Sequence, residues 1–550
     1  MRIKLYKSSV ALFLLLQLML SSCGLKRHAD QVYYNGKVYL VDNAFSVVQA
    51  FAVSKGKIKE VGSSQDLLDE FEDAEKIDLK GAVVFPGFID AHCHFYGYAS
   101  DLMKCDLYGT ASYAEVISRV LEYSKTNNFH WILGRGWDQN DWEARRFPDK
   151  TELDSLYPDK PVFLMRIDGH AALCNQSALA LAGIDPGSKI EGGEIVLKDG
   201  KLTGLVIDRA MERVKEKIPP FTPELIEQAI LKAQENCFRA GLTTVDDAGI
   251  GRDSIETLIR LQKDEKLKMR IYAMASDDPA TVKYYFEHGH YKSDRMNVRA
   301  IKTYADGSLG SRGACLKEEY SDQPGHYGFM LHTPKYFNKL ASDALLYNFQ
   351  LCTHAIGDSA CKEIIDIYSN HLSTDNRRRW RIEHCQVMDV KERRKMGEYA
   401  IIPSVQPTHA TSDMYWAGER LGHSRLPAAY AYESLRRECD GIIAFGTDFP
   451  VEDLNPILTY YAAVSREDLD GKPKGGFLPD EKIKRKDAIR AMTLYAAYAN
   501  FEEEEKGSLE EDKFADFVIL DRDIIEIKEK DIPGTRVLAT YINGEKVYGE

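Results

Sequence analysis

Phe85-Pro86-Gly87-Phe88-Ile89-Asp90-Ala91-His92-Cys93-His94 is the stretch from which the fold of this 550-residue chain can be read. The apolar run predicts a buried strand, and residues two apart on a strand point the same way. His92 and His94 therefore project side by side from its C-terminal end, as two neutral nitrogen ligands of one divalent ion do. A His-x-His pair alone arises often by chance. Its weight comes from the rest of the chain.

Seven further runs of the same character follow, each ending in polar residues: Leu242 to Asp247, Met269 to Ala275, Val298 to Gly307, Phe349 to His354, Trp380 to Cys385, Ala400 to Gln406 and Gly441 to Asp448. Charged amphipathic stretches such as Lys362 to Leu372 and Val390 to Tyr399 suit covering helices between them. Eight strands alternating with helices predict an α/β fold, a TIM (β/α)8 barrel over residues 86–500. A barrel spends about 30 residues on each strand-helix unit, and His354 and His384 stand one such unit apart. The interval between the first two strands is far too long for plain loop. It predicts a large α+β insertion at about residues 100–240, with strand-like runs Trp131 to Gly134 and Pro161 to Arg166. At the chain ends, Tyr34-Asn35-Gly36-Lys37-Val38-Tyr39 is echoed by Tyr541-Ile542-Asn543-Gly544-Glu545-Lys546-Val547-Tyr548, each with an Asn-Gly turn of the kind that closes a hairpin. They predict one small β-sandwich domain built from residues 23–85 and 501–550.

Composition narrows the function. An apolar content of 44% is that of a globular protein, and a net charge of −13 argues against a nucleic-acid partner, which needs a clustered basic surface. Arg2, Lys4 and Lys7 precede an apolar run from Val10 to Leu20, too short to cross a bilayer but suited to a signal peptide of residues 1–22. Leu20-Ser21-Ser22-Cys23 resembles a bacterial lipobox. It predicts a lipid anchor on Cys23 and a location on a bacterial membrane, facing the periplasm or the cell exterior; an ordinary signal peptide that happens to hold a Cys is the alternative. The remaining cysteines are odd in number, lie mostly in apolar runs and form no Cys-x-x-Cys pair, so neither a disulfide framework nor a thiolate zinc knuckle is expected. Homodimer formation stays open.

Barrel active sites gather at the C-terminal ends of strands. Those ends carry His92, His94, Lys302, His354, His384 and Asp448, a set able to hold one ion or two. An ammonium beside a dication is repelled, so Lys302 fits only if it is neutral or converted by carbon dioxide to a carbamate.

The motifs Pro86 to His94, Lys302-Thr303-Tyr304-Ala305-Asp306-Gly307-Ser308-Leu309-Gly310-Ser311-Arg312, His354-Ala355-Ile356-Gly357-Asp358, Ile382-Glu383-His384, Gly446-Thr447-Asp448 and Gly507-Ser508-Leu509 through Ala515-Asp516-Phe517-Val518-Ile519-Leu520 resemble the metal-dependent amidohydrolase superfamily. Within it they are similar to the amidohydrolase-3 branch of exoenzyme-like and N-substituted formamide deformylase-like proteins. The resemblance runs from about residue 30 to the end. It implies that His92 and His94 bind the more buried metal, that Lys302 as its carbamate bridges two metals, and that His354 and His384 bind the second. Asp448 would contact the first metal and shuttle the proton. Two zinc ions are implied, with one ion as the alternative. The implied reaction is attack of metal-activated hydroxide on the carbonyl of a small non-peptide amide, with Asp448 as base and then acid. A catalytically inactive lipid-anchored binding protein, or an ester or phosphoester hydrolase using the same site, are the competing readings.

Trp131 to Asp138 and Asp168 to Asn175 match segments that the branch places over the pocket, so Trp137, Asp168 and His170 are expected substrate contacts, with Asp306 and Arg312. Arg312 equally suits a buried ion pair with Asp306. His409, Tyr415 and Trp416 follow the seventh strand and could line the rim of the pocket, with packing the expected role, and Glu502 to Glu505 reads as a solvated face.

Overall fold

The computed structural model describes residues 28–127, 129–167, 171–190 and 193–549. The expected signal peptide, Cys23, Asp168 and His170 lie outside the described residues. Two compact units divide the chain: one runs to Phe95 and resumes at Gln234, and the other is Tyr96–Ala233.

The first unit holds the barrel. Its strands are Phe88–Cys93, Leu242–Ile250, Arg270–Ser276, Met296–Tyr304, Gln350–Ala355, Arg381–His384, Ile402–Val405 and Ala444–Phe445. Each pairs in parallel with the next. The strands are almost wholly buried because helices cover the outside and side chains fill the inside. The covering helices include Asp358–His371 and Val390–Glu398, over the amphipathic stretches expected to supply them. The eighth strand meets the first at the mouth, where the Asp448 N–H donates to the His92 carbonyl and the His94 N–H to the Phe449 carbonyl, both at 2.8 Å. Gly446 permits this approach, since a Cβ there would lie 2.5 Å from the His92 nitrogen.

Two sheets outside the barrel form the sandwich. One runs in the order Lys57–Gly62, Ala50–Ser54, Gln31–Tyr34, Glu75–Asp78. The other joins both ends of the chain, in the order Glu545–Tyr548, Val537–Ile542, Phe517–Leu520, Val83–Pro86, Lys37–Tyr39, Val47–Val48. Their facing apolar sides share one core, in which Tyr33 stacks on Phe51 at 4.8 Å and meets Phe517 edge-on at 5.0 Å. One expected hairpin is corrected. Asn543-Gly544 does join two paired strands, whereas Asn35-Gly36 carries the chain from one sheet to the other. The buried Arg270, at the start of the third barrel strand, ties barrel to sandwich through Asp516 at 2.5 Å.

Glu502 to Glu505 is also corrected. Glu502 is buried, 2.6 Å from the equally buried Lys506 and paired with Lys292, and Glu503 holds Arg379. Among the described residues all nine cysteines are free, and all but Cys315 are buried.

The second unit is built on a six-stranded sheet in the order Gly193–Lys198, Lys201–Asp208, Ala171–Cys174, Val162–Arg166, Ile132–Trp137, Cys105–Asp106. Helix Tyr113–Thr126 is capped by Ser112, whose side chain accepts the Glu115 N–H. Trp137 is 1% exposed in the apolar core of this unit, and its indole N–H donates to the Leu164 carbonyl at 2.8 Å. Its expected substrate contact is thereby replaced by a packing role, because both its ring and its only polar atom are committed within the unit.

Candidate metal centre

His92, His94, Lys302, His354, His384 and Asp448 line a single cavity of about 510 Å³ at the C-terminal end of the barrel. The strand ends bring them there from the first, fourth, fifth, sixth and eighth strands. His384 closes the sixth strand and Asp448 lies three residues past the eighth, with φ of 76° and 65°, a left-handed backbone that non-glycine residues seldom adopt and that is concentrated at functional sites.

The outward nitrogens of three rings are committed to acceptors. His92 Nδ1 lies 2.6 Å from Glu383 Oε2, His94 Nδ1 lies 3.0 Å from the Ala248 carbonyl, and His384 Nδ1 lies 2.8 Å from Gln406 Oε1. Burial alone would raise the Glu383 carboxyl. Arg381, bonded to it at 2.8 Å, and His92 hold it well below the usual carboxylate range. An ionised carboxylate and a carbonyl only accept, so Nδ1 carries the hydrogen, and in a neutral ring Nε2 keeps its lone pair; at His94 burial disfavours the charged form, but the facing Asp448 carboxylate outweighs it and raises the ring's pKa. Burial, with the nearby Lys302, also pushes His92 down to about 4 and His354 down to about 3, which keeps both rings neutral.

Those lone pairs converge. His94 Nε2 is 3.2 Å and His92 Nε2 3.6 Å from Asp448 Oδ1, itself buried and without a hydrogen-bond partner. Ligand atoms of His92, His384 and Asp448 all lie within 4.8 Å of one another. Lys302, fully buried, places Nζ 3.3 Å from His92 Nε2; burial drives its ammonium down, against the pull of Glu383 and Asp448. Lone pairs packed together with few hydrogens repel one another unless a cation lies among them. The residues present therefore fit a divalent metal.

Two expected substrate contacts have other partners. Asp306 accepts the N–H groups of Cys315, Ile356 and Gly357 at 2.8, 3.0 and 2.8 Å, and its Oδ1 lies 3.5 Å from His354 Nε2. Its lone pairs thus hold the backbone that follows the fourth and fifth strands in place. Arg312 pairs with Asp322 at 2.7 Å rather than with Asp306, and it lies outside the cavity lining. Conversely, His409 and Trp416 do line the cavity, while Tyr415 is exposed. Glu383, Arg381 and Gln406 were missed as participants. Their signal was present: a Glu and an Arg within a buried strand must be paired.

The barrel and the donor set at its mouth define a metal-dependent hydrolase. The chain belongs to the amidohydrolase family, whose profile matches residues 75–548. It is 30% identical to the putative amidohydrolase YtcJ of Bacillus subtilis, over 94% of this chain and 99% of that one. It is 31% identical to the protein LONG AFTER FAR-RED 3 of Arabidopsis thaliana, over 94% and 92%, and 26% identical to the N-substituted formamide deformylase of Arthrobacter pascens, over 94% and 97%. Among solved structures, an uncharacterized metal-dependent hydrolase of Pyrococcus horikoshii matches with a TM-score of 0.78 at 28% identity, covering 91% of this chain and 99% of that one.

Proposed function

We propose that this protein hydrolyses the C–N bond of a small non-peptide amide. The observation that carries the reading is the convergence of His92 Nε2 and His94 Nε2 on Oδ1 of the buried Asp448, with His384 within the same cluster. His92, His94, Lys302, His354, His384 and Asp448 would hold one zinc ion or two, imidazole and carboxylate being a set that suits zinc. When bound, such an ion supplies a water acidified to a pKa of about 7 and polarises the carbonyl under attack. Asp448 accepts the proton of the attacking water and returns it to the departing nitrogen. Lys302, as neutral amine, can add carbon dioxide through Nζ with loss of one proton, turning a neutral side chain into an anionic carbamate. The likeness to an N-substituted formamide deformylase supports an amide over an ester.

Zinc-loaded mature protein screened against N-formyl, N-acyl and cyclic amides tests this reading. Turnover is expected in at least one class, and Asp448→Asn should lower kcat by about 10²- to 10⁴-fold with most of the metal retained. Failure of all three classes, or a fully active Asp448→Asn, overturns it. The lipobox-like Leu20-Ser21-Ser22-Cys23 supports a lipid anchor on the membrane; Cys23→Ala should then move the protein into the soluble fraction, and an unchanged membrane fraction would refute the anchor.

A further inference from the structure

We propose that His409 is a positioning residue for Asp448, holding the carboxylate oxygen that faces away from the candidate metal ligands. The inference rests on the role given to Asp448 above. Asp448 divides its two oxygens between two sides. Oδ1 faces His94 and His92, while Oδ2 faces His409 Nε2 at 3.6 Å. His409 is 11% exposed and lines the cavity, and its Nε2 is buried without a hydrogen-bond partner. A buried ring nitrogen left unpaired costs about 1–3 kcal/mol, so its nearest polar neighbour matters. A lone pair aimed at a carboxylate oxygen is repulsive, whereas an N–H is attractive. Unlike the lone pairs that His92 and His94 turn toward Oδ1, which a shared cation would offset, a His409 Nε2 that carries the hydrogen is attracted to Asp448 Oδ2 directly, and that oxygen is the acceptor it reaches as the site tightens. The 3.6 Å separation is of the kind that catalytic hydrogen bonds show before the complex tightens.

The local sequence makes the placement specific. His409 lies in the helix Pro407–Asp413, which opens directly after Gln406, the residue that fixes the His384 ring, and the His409 N–H donates to the Gln406 carbonyl at 3.1 Å. The His409 and His384 rings stand parallel, 6.0 Å apart. One short segment thus holds a candidate ligand with one side chain and the proton-carrying carboxylate with another. The two contacts are separable by mutation.

The test compares His409→Leu, His409→Gln and Gln406→Leu in zinc-loaded full-length mature protein. Gln places an amide N–H where Nε2 stood, and Leu places none. His409→Leu should lower kcat by about 10²-fold, as small misplacements of a reacting group do, with KM and zinc content unchanged. His409→Gln should recover much of the loss. Gln406→Leu should instead lose zinc. Crystal structures of the same variants should show Asp448 turned from its wild-type orientation in His409→Leu and restored in His409→Gln. An Asp448 unmoved in His409→Leu, or a loss confined to KM, overturns the proposal. A wild-type protein inert on all amides, with Asp448 nevertheless turned in His409→Leu, overturns the hydrolase reading and leaves the contact standing.

Discussion

At the scale of single residues, the site is set by what lies behind each ring. His92 offers Nε2 to the cavity because Glu383 occupies Nδ1, and Glu383 stays ionised against its burial because Arg381 and His92 lie against it. Groups behind a metal ligand commonly contribute 10- to 100-fold in metal affinity. Glu383→Gln should therefore weaken zinc binding by about that factor, measured by competition with a coloured chelator; an unchanged affinity would show that the ring needs no carboxylate. The candidate ligands themselves were legible in sequence, since they stand at the ends of apolar runs. Their supports were not, because which nitrogen of a ring faces inward depends on residues hundreds of positions away, as His92 and Glu383 are. For the same reason Arg312 was misplaced: proximity to Asp306 in sequence does not say that Asp322 is the partner.

At the scale of elements, two segments behave differently from their residue types. The strand Ile132–Trp137 ends in a tryptophan whose character suits a binding surface, yet the ring fills a core shared with Trp142, Leu153 and Leu164. Trp137→Ala should cost about 3–5 kcal/mol, as large-to-small core substitutions do, and it should show as early proteolysis within residues 96–233. A protease profile like that of the wild type would return Trp137 to the surface role. The run Glu502 to Glu505 looks solvated because its neighbours in sequence are acidic, but its partners Lys292 and Lys506 are positioned by the fold. Burial would raise the Glu502 carboxyl; Lys506 and Lys292 outweigh it and bring it from 4.5 down to about 2. A depressed carboxyl stabilises the fold above its unfolded value and loses that contribution as pH falls through its folded value. Stability should thus drop on the order of 3 kcal/mol between about pH 4.5 and pH 2 from this group. Denaturant titrations across that window should show a shallower fall in Glu502→Gln, which should also be about 3–5 kcal/mol less stable at pH 7 because Lys506 is left buried and unpaired. Equal slopes in the two proteins would remove Glu502 from the acid response.

At the scale of the whole molecule, the barrel was legible because strands buried on both faces read as continuous apolar runs, and the insertion because no loop is that long. The sandwich was legible as a joining of the two chain ends but not in its pairing, since Asn35-Gly36 has the residues of a hairpin turn and the strands it links belong to different sheets. The strands of the barrel converge on one cluster of lone pairs, and this has a thermodynamic consequence. The cluster exists only when the strands are assembled, so an ion that fills it binds the native state in preference to the unfolded one. Free zinc at about 100 times its dissociation constant should add about 2.7 kcal/mol to unfolding, and at about 1,000 times about 4.1 kcal/mol. All the candidate donors lie in the unit that holds the barrel, and none lies in residues 96–233. Calorimetry over buffered zinc concentrations should accordingly move the barrel's transition upward with the logarithm of free zinc. Asp448→Asn, which keeps the imidazoles, should follow the same slope. A transition that stays fixed across a hundredfold range of zinc would mean that no ion occupies the mouth of the barrel, and the lone pairs of His92, His94 and His384 would then need another cation to explain their convergence.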